Sequence, residues 1–258
     1  MKRLYPLALF AATLLLFSCK KNGIENRVVE IPVKTVAFAI KDIDLEERQN
    51  WILSGGGQKY NFNIVADTLH AVPDGDPYLL RYEPSSYSFN YIGFGLVSPD
   101  YYKSPQASVK RDVYATSPIT VGFPNIADQS DETKLKDADA LIAINFETPS
   151  SNIKDGKFIH RNTLIDFETV NVPGDAVITV LQSEETKPWH YKPGFYKAIV
   201  VAVPAISVKI GTETFKAQVT DPKGMSGNAH YTFKVVYDAG KKSISINDLK
   251  SQKWSTTN

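Results

Sequence analysis

Short runs rich in β-branched and aromatic residues recur along almost the whole chain, and they constrain its fold more than any other feature. Residues 33–40, 60–65 and 87–94 are three such runs, and the last two alternate polar with apolar side chains. A period of two places every second side chain on the same face of a β-strand. Helical periodicity is scarce, and the polar stretch 128–138 is the best helix candidate. The sequence therefore predicts an all-β protein.

The predicted strands are short and closely spaced, particularly in the second half. Further runs of this kind are residues 119–123, 140–146, 158–167, 176–181, 196–203, 206–210, 214–219, 231–237 and 243–249. Turn signals such as Pro173-Gly174-Asp175 and Asp221-Pro222-Lys223-Gly224 separate them. This spacing favours antiparallel β-sandwiches over alternating strands and helices.

The polar stretch at residues 148–152 interrupts two strand-rich halves and is the predicted domain boundary. We therefore expect two β-sandwich domains in tandem, at residues 30–149 and 150–258. Both halves have the length of an ordinary domain.

The N-terminus indicates export and lipidation. Lys2 and Arg3 precede an apolar run that ends at Leu16-Phe17-Ser18-Cys19, and Cys19 is the only cysteine of the chain. A basic start, an apolar run and a small residue before cysteine are typical of a lipoprotein signal, in which the thiol is acylated, for example with palmitate. We therefore expect a signal peptide at residues 1–18 and a lipidated tether at 19–29. The alternative is an ordinary secretory peptide followed by a free cysteine.

Composition excludes several classes of partner and site. Removal of Lys2 and Arg3 with the signal peptide lowers the formal charge from +1 to −1, which argues against a nucleic-acid partner. No later segment approaches the ~18 apolar residues of a membrane helix. Acylation of Cys19 would leave no thiol for disulfides or thiolate metal sites.

Motifs for catalysis or metal binding are absent from the sequence. It contains no Gly-x-Ser-x-Gly elbow, and the glycines at 55–57 are not followed by a phosphate-binding Gly-Lys-Ser/Thr. The histidines His70, His160, His190 and His230 are far apart in sequence, so surface or strand roles are expected. The pair Asp137 and Asp139 is expected on one strand face without a function. We therefore predict no enzymatic activity, no metal and no cofactor other than the covalent lipid.

Aromatic residues offer the best evidence for ligand binding. Tyr101 and Tyr102 lie beside prolines, and Trp189 and Tyr191 form a second aromatic group. Exposed aromatic rings bind sugars and protein partners, although alternating aromatics also fill sandwich cores. A surface glycan-binding lipoprotein is therefore the alternative to the function that the following motifs indicate.

Three motifs resemble the fimbrillin-like lipoproteins of Gram-negative bacteria, which are the stalk, tip and anchor subunits of pili. The first is Asp139-Ala140-Leu141-Ile142-Ala143 after a polar loop, and the second is Phe158-Ile159-His160. The third is the C-terminal order Tyr231-Thr232-Phe233, Ile244-Ser245-Ile246 and Trp254. The resemblance implies two β-sandwich domains of the Greek-key or transthyretin-like kind, and a pilus subunit or pilus-associated adhesion protein. Its implied location is the outer membrane, the cell surface or the fimbrium.

The resemblance also implies assembly by strand exchange with other pilus subunits. In that family a trypsin-like protease cuts after an N-terminal arginine, for which Arg48 and Arg27 are the candidates here. Arg48 could instead be a solvated loop charge. The candidate donor strand carries Ile244, Ile246, Leu249 and Trp254, and a fixed edge strand is the alternative. Host or bacterial surface ligands are further implied partners.

Overall fold

The computed structural model describes residues 28–40, 48–83, 88–89, 92–99, 112–114, 117–120, 127–145, 152–201 and 203–255. Almost all regular structure in these ranges is β, as the sequence predicts. The strands are β1 (Val29–Pro32), β2 (Thr35–Ala39), β3 (Ile52–Gly55), β4 (Gln58–Val65), β5 (Thr68–Pro73), β6 (Leu79–Glu83), β7 (Ser88–Phe89), β8 (Ile92–Val97), β9 (Asp112–Tyr114), β10 (Ser117–Thr120), β11 (Leu141–Asn145), β12 (Asn152–Lys157), β13 (Ile159–His160), β14 (Thr163–Val170), β15 (Val177–Leu181), β16 (Glu185–Thr186), β17 (Trp189–Lys192), β18 (Phe195–Val200), β19 (Ala205–Ile210), β20 (Glu213–Gln218), β21 (Ala229–Asp238) and β22 (Ser243–Lys253).

One short helix, α1 (Glu132–Asp137), lies within the predicted stretch 128–138. Asp131 caps it, because its side chain accepts a hydrogen bond from the Lys134 backbone N–H. Gln129 attaches this segment to β18, since its side-chain amide both donates to and accepts from the backbone of Ile199, at 2.9 and 2.7 Å. The helix is thus held against the second half of the chain.

The strands form three larger sheets. An eight-stranded sheet has the order β12-β2-β5-β4-β3-β8-β11-β13 and contains strands from the first half up to β13. A five-stranded sheet, β17-β18-β14-β21-β22, and a four-stranded sheet, β16-β15-β19-β20, come from the second half. The strands β1, β6 and β7 form a small sheet, and β9 pairs with β10.

The prediction that the sheets are purely antiparallel is wrong in two places. β12 pairs parallel with β2, and β14 pairs parallel with β21. Parallel neighbours require a long connection, and more than fifty residues separate the partners in both pairs. Local alternation does not encode such distant pairing.

The first apolar core lies along the eight-stranded sheet. Phe38 of β2 stands at its centre, with ring centroids 4.9 Å from Phe94 and 5.0 Å from Phe158. Ile153 of β12 also belongs to this core. β12 and Phe158 follow the predicted boundary at 149/150, yet both lie in the first core.

The second core lies between the five-stranded and four-stranded sheets. Ile165, Phe167 and Phe233 come from the five-stranded sheet, whereas Val180 and Val208 come from the four-stranded sheet. All five side chains are buried, so the two sheets pack face to face. Burial of each such side chain stabilises the fold by about 1.5–3 kcal/mol.

Several predicted runs differ from the strands in their limits. The run 33–40 corresponds to β2, and β1 begins at Val29, inside the predicted tether. The run 158–167 is divided into β13 and β14 by a bend at Arg161 and Asn162. Gly56 and Gly57 connect β3 to β4 in a hairpin, with φ of 58° and 80°. A turn of this kind requires the left-handed backbone that glycine adopts readily.

Candidate functional site

A buried group of charged and aromatic side chains connects four segments that are distant in sequence. We call it the junction cluster; its members are Arg48, Trp51, Asp139, His160 and Trp254. Arg48 Nη2 donates a hydrogen bond of 2.9 Å to Asp139 Oδ2, and the guanidinium carbon lies 4.1 Å from the centroid of the Trp51 ring. His160 Nδ1 lies 3.0 Å from both carboxylate oxygens of Asp139.

Trp254 completes the junction cluster from the C-terminal side. Its ring stacks on His160 with centroids 3.7 Å apart and an interplanar angle of 9°. The Trp254 backbone N–H donates to the carbonyl of Asn228, and the Asn228 N–H donates to the carbonyl of Asn162. The residue that follows β22 is thus attached to the segment that contains His160.

All members of the junction cluster are buried. Arg48 is 7 % exposed, Asp139 2 %, His160 1 % and Trp254 6 %. Burial on its own would raise the pKa of Asp139, but attraction and hydrogen bonding by His160 and Arg48 outweigh it and hold this pKa below its ordinary value. The carboxylate therefore remains charged because its two partners replace the water that it lost.

Two sequence-based expectations about these residues are wrong. Arg48 is not a solvated loop charge, because its side chain is buried between Asp139 and Trp51. Asp139 and Asp137 do not share a strand face, since Asp137 ends α1 and Asp139 follows that helix. His160 does have an acidic partner, Asp139, which lies twenty-one positions earlier in the chain. The spacing rules for metal or catalytic motifs do not detect a pair so far apart.

The remaining candidate residues for the N-terminal processing and for the first aromatic group lie outside the described residues. These are Cys19, Arg27, Tyr101 and Tyr102.

Trp189 and Tyr191 lie on β17, but they do not form a flat platform. Their ring centroids are 5.5 Å apart, with an interplanar angle of 49°. Trp189 is half-buried and packs against a small apolar cluster that contains Leu135 and Ile199. Trp189 therefore contributes to packing between α1 and the five-stranded sheet.

Tyr191 borders a shallow depression of about 320 Å³ on the outer face of the five-stranded sheet. Its hydroxyl donates a hydrogen bond of 2.9 Å to Asp166, and Lys197 Nζ lies 4.6 Å from its ring centroid. Burial, and then Asp166, raise the pKa of Tyr191 above its ordinary value. The floor and rim also include Glu168, Phe195, Thr232, Lys234, Asp248 and Lys250.

The candidate donor segment is an edge strand in this structure. β22 pairs antiparallel with β21 from Ser243 to Lys253, with one irregularity of register opposite Thr232 and Lys234. Ile244, Ile246 and Leu249 are half-buried and pack against the second core. The segment is thus part of the sheet of its own chain.

Within the described residues, no group of three histidine, cysteine or acidic side chains could hold a metal ion. Among the same residues, no helix is both long enough and apolar enough to cross a membrane.

No protein-family model and no curated protein matches the chain. Solved structures are similar to it at low identity. The fimbrial anchor protein Mfa2 from Porphyromonas gingivalis is 10 % identical, covers 88 % of this chain and 99 % of its own, and has a TM-score of 0.47. The tip fimbrial protein Mfa3 from the same organism is 10 % identical, with 88 % and 100 % covered and a TM-score of 0.38. A fimbrial assembly protein from Parabacteroides distasonis is 11 % identical, with 86 % and 100 % covered and a TM-score of 0.37. These three similar structures are thus a fimbrial anchor, a tip and an assembly protein, and their TM-scores all lie below 0.5.

Proposed function

We propose that this chain is a lipid-anchored pilus subunit or pilus-associated adhesion protein that assembles by strand exchange after proteolysis. The proposal includes two β-sandwich domains in tandem, a signal peptide over residues 1–18 and a lipid on Cys19. The proposed location is the outer membrane and the fimbrium at the cell surface. Neither catalysis nor a cofactor besides the lipid forms part of it.

The position of β2 in the eight-stranded sheet is the observation that carries the proposal. β2 lies between β5 and β12 and pairs with both of them, although it is close to the start of the chain. Val36 and Phe38 of β2 are buried, and so are the flanking residues Val33 and Ile40. One N-terminal strand therefore fills an interior position of the sheet and the centre of its core.

Removal of this strand would leave a groove that a strand of another subunit could fill. A cut after Arg48 would separate β1 and β2 from the rest of the chain. Backbone groups of β5 and β12 would lose their partners, and the faces of Phe94 and Phe158 towards Phe38 would be exposed. A donated strand would restore both the hydrogen bonds and the alternate apolar side chains.

β22 is the proposed donor. It carries Ile244 and Ile246 two positions apart, as Val36 and Phe38 are in β2. β22 would have to separate from β21 before it could enter the groove of a neighbouring subunit.

Treatment of the purified precursor with an arginine-specific protease tests the proposal. We expect a cut after Arg48, followed by a ladder of oligomers that resists detergent. A synthetic peptide with the sequence of residues 33–40 should occupy the groove and shorten the ladder, whereas a scrambled peptide should not.

Arg48→Lys is the matched control, because it keeps a cation near Asp139 but removes the arginine that the protease recognises. This variant should stay intact at position 48 and monomeric. A chain that is cut at Arg48 and nevertheless remains monomeric would contradict the proposed assembly.

The lipid is tested separately with Cys19→Ala. This variant should leave the membrane fraction or fail to mature, and it should not incorporate labelled palmitate. Labelling equal to that of the unaltered chain would contradict lipidation of Cys19.

The depression beside Tyr191 favours glycan binding as a second candidate function. An aromatic ring next to the carboxylates of Asp166 and Glu168 offers both stacking and hydrogen bonding to a sugar. Titration calorimetry with surface oligosaccharides should show binding that Tyr191→Ala abolishes. Tyr237→Ala, which alters a tyrosine outside the depression, should leave the affinity unchanged.

A further inference from the structure

We propose that Trp254 holds the other members of the junction cluster in place, so that the C-terminal end of β22 controls the access of a protease to the Arg48–Gln49 bond. We call this contact of Trp254 the latch. This inference rests on the proposed cut at Arg48. It adds that the proposed cleavage point at Arg48 and the C-terminal strand β22 are connected by side-chain contacts before assembly.

The bond after Arg48 is protected in two ways. The Trp51 backbone N–H donates a hydrogen bond of 3.0 Å to the Arg48 carbonyl, so the bond lies in a tight turn. The Arg48 side chain is held by Asp139 and covered by the Trp51 ring. A trypsin-like protease requires an extended chain and a free arginine side chain, and both conditions require local opening.

Asp139 can hold Arg48 only while its other contacts are intact. Both of its carboxylate oxygens lie 3.0 Å from His160 Nδ1, and Oδ2 also accepts the hydrogen bond from Arg48. A buried carboxylate remains charged only if such partners compensate for its lost hydration. The position of the His160 ring therefore determines how firmly Arg48 is held.

Trp254, near the C-terminus, fixes that ring by stacking on it. Its indole covers one face of the imidazole at 3.7 Å, while β13 attaches His160 to β11. Departure of β22 from its own sheet would remove Trp254 and expose that face to water. Arg48, Asp139, His160 and Trp254 thus form one continuous series of contacts from the proposed cleavage point to the proposed donor strand.

Limited proteolysis of the purified precursor, with each cut identified by mass spectrometry, tests the latch. Arg81 is the internal reference, because its side chain is exposed and it does not belong to the junction cluster. Initial rates on the uncut chain are compared, since Arg81 lies opposite Glu30 of β1, which a cut at Arg48 would release. We expect Trp254→Ala to raise the rate of cleavage at Arg48 about tenfold or more relative to that at Arg81. Trp254→Phe, which keeps an aromatic ring on His160, should restore most of the protection.

Leu69→Ala controls for general destabilisation, because Leu69 is buried in the first core and belongs neither to the junction cluster nor to the core against which β22 packs. It should raise cleavage at both arginines without a change in their ratio. An unchanged ratio in Trp254→Ala, a ratio raised equally by Leu69→Ala, or a lack of cleavage at Arg48 in every variant would each overturn the latch. Faster cleavage in Trp254→Ala with a product that stays monomeric would support the latch and contradict the proposed pilus assembly.

Discussion

The substitution Asp139→Asn should show how much the buried ion pair contributes to stability. The amide keeps the size of the carboxylate but loses its charge, so Arg48 remains buried without its anionic partner. Removal of one member of a buried pair typically lowers the free energy of unfolding by about 3–5 kcal/mol. For a chain of this length, that corresponds to a melting temperature lower by roughly 6–20 °C.

The effect should depend on pH in a defined direction. The pKa of Asp139 is lower in the folded chain than its ordinary value of 3.8, so the carboxylate stabilises the fold at all pH values above about 4. This contribution is lost as the pH falls below 3.8 and through the lower folded pKa. The difference between the unaltered chain and Asp139→Asn should therefore be constant near neutral pH and shrink in acid.

Urea unfolding followed by tryptophan fluorescence is the suitable assay. Trp51 and Trp254 belong to the junction cluster and Trp189 lies in the adjacent apolar cluster, so all three tryptophans report on this region. Asp128→Asn is the matched control. The pKa of Asp128 is lowered to about 2 by Lys134 and Ser130, but both members of the Asp128–Lys134 pair are exposed to solvent, so the loss should be small.

A double-mutant cycle with Arg48→Met measures the interaction between Arg48 and Asp139 separately from the contacts that each makes with other residues. If the two charges interact directly, the coupling energy should be about 0.5–3 kcal/mol. A loss in Asp139→Asn of less than about 0.5 kcal/mol would refute the reasoning, since that is the size of an ordinary surface substitution. An acid dependence identical to that of the unaltered chain would refute it as well.

Other substitutions test the packing and the outer face. Phe38→Ala should lower the free energy of unfolding by about 3–5 kcal/mol, whereas Val65→Ala, at an exposed position, should change it by less than about 0.5 kcal/mol. Urea unfolding measures both changes. Gly227→Ala should destabilise the fold by about 1–3 kcal/mol in the same assay, because the added Cβ would press against the backbone carbonyl oxygen of Arg161. The Tyr191 phenol should ionise above the ordinary pKa of about 10, and Asp166→Asn should lower that pKa. Ultraviolet absorbance, with Tyr191→Phe as the reference, measures the ionisation. Ionisation of Tyr191 at the ordinary value would contradict the geometry.

The amino-acid sequence by itself determined the local structure. Polar and apolar residues alternate at 60–65 and at 231–235, and these residues lie in β4 and β21. Asp131 and the polar stretch after it determined α1, and Gly56-Gly57 determined a hairpin. These features depend on neighbours a few positions apart, so the chain encodes them directly.

The tertiary structure alone decided which strands pair and which charges are buried. The parallel pairs β2–β12 and β14–β21 depend on contacts between distant segments. Arg48 lies in a polar sequence and is nevertheless buried, because Asp139, ninety-one positions away, supplies a partner. His160 and Trp254 stack across a similar distance. Polarity predicts exposure only for a side chain without a partner, and a partner from another part of the chain becomes visible only after folding.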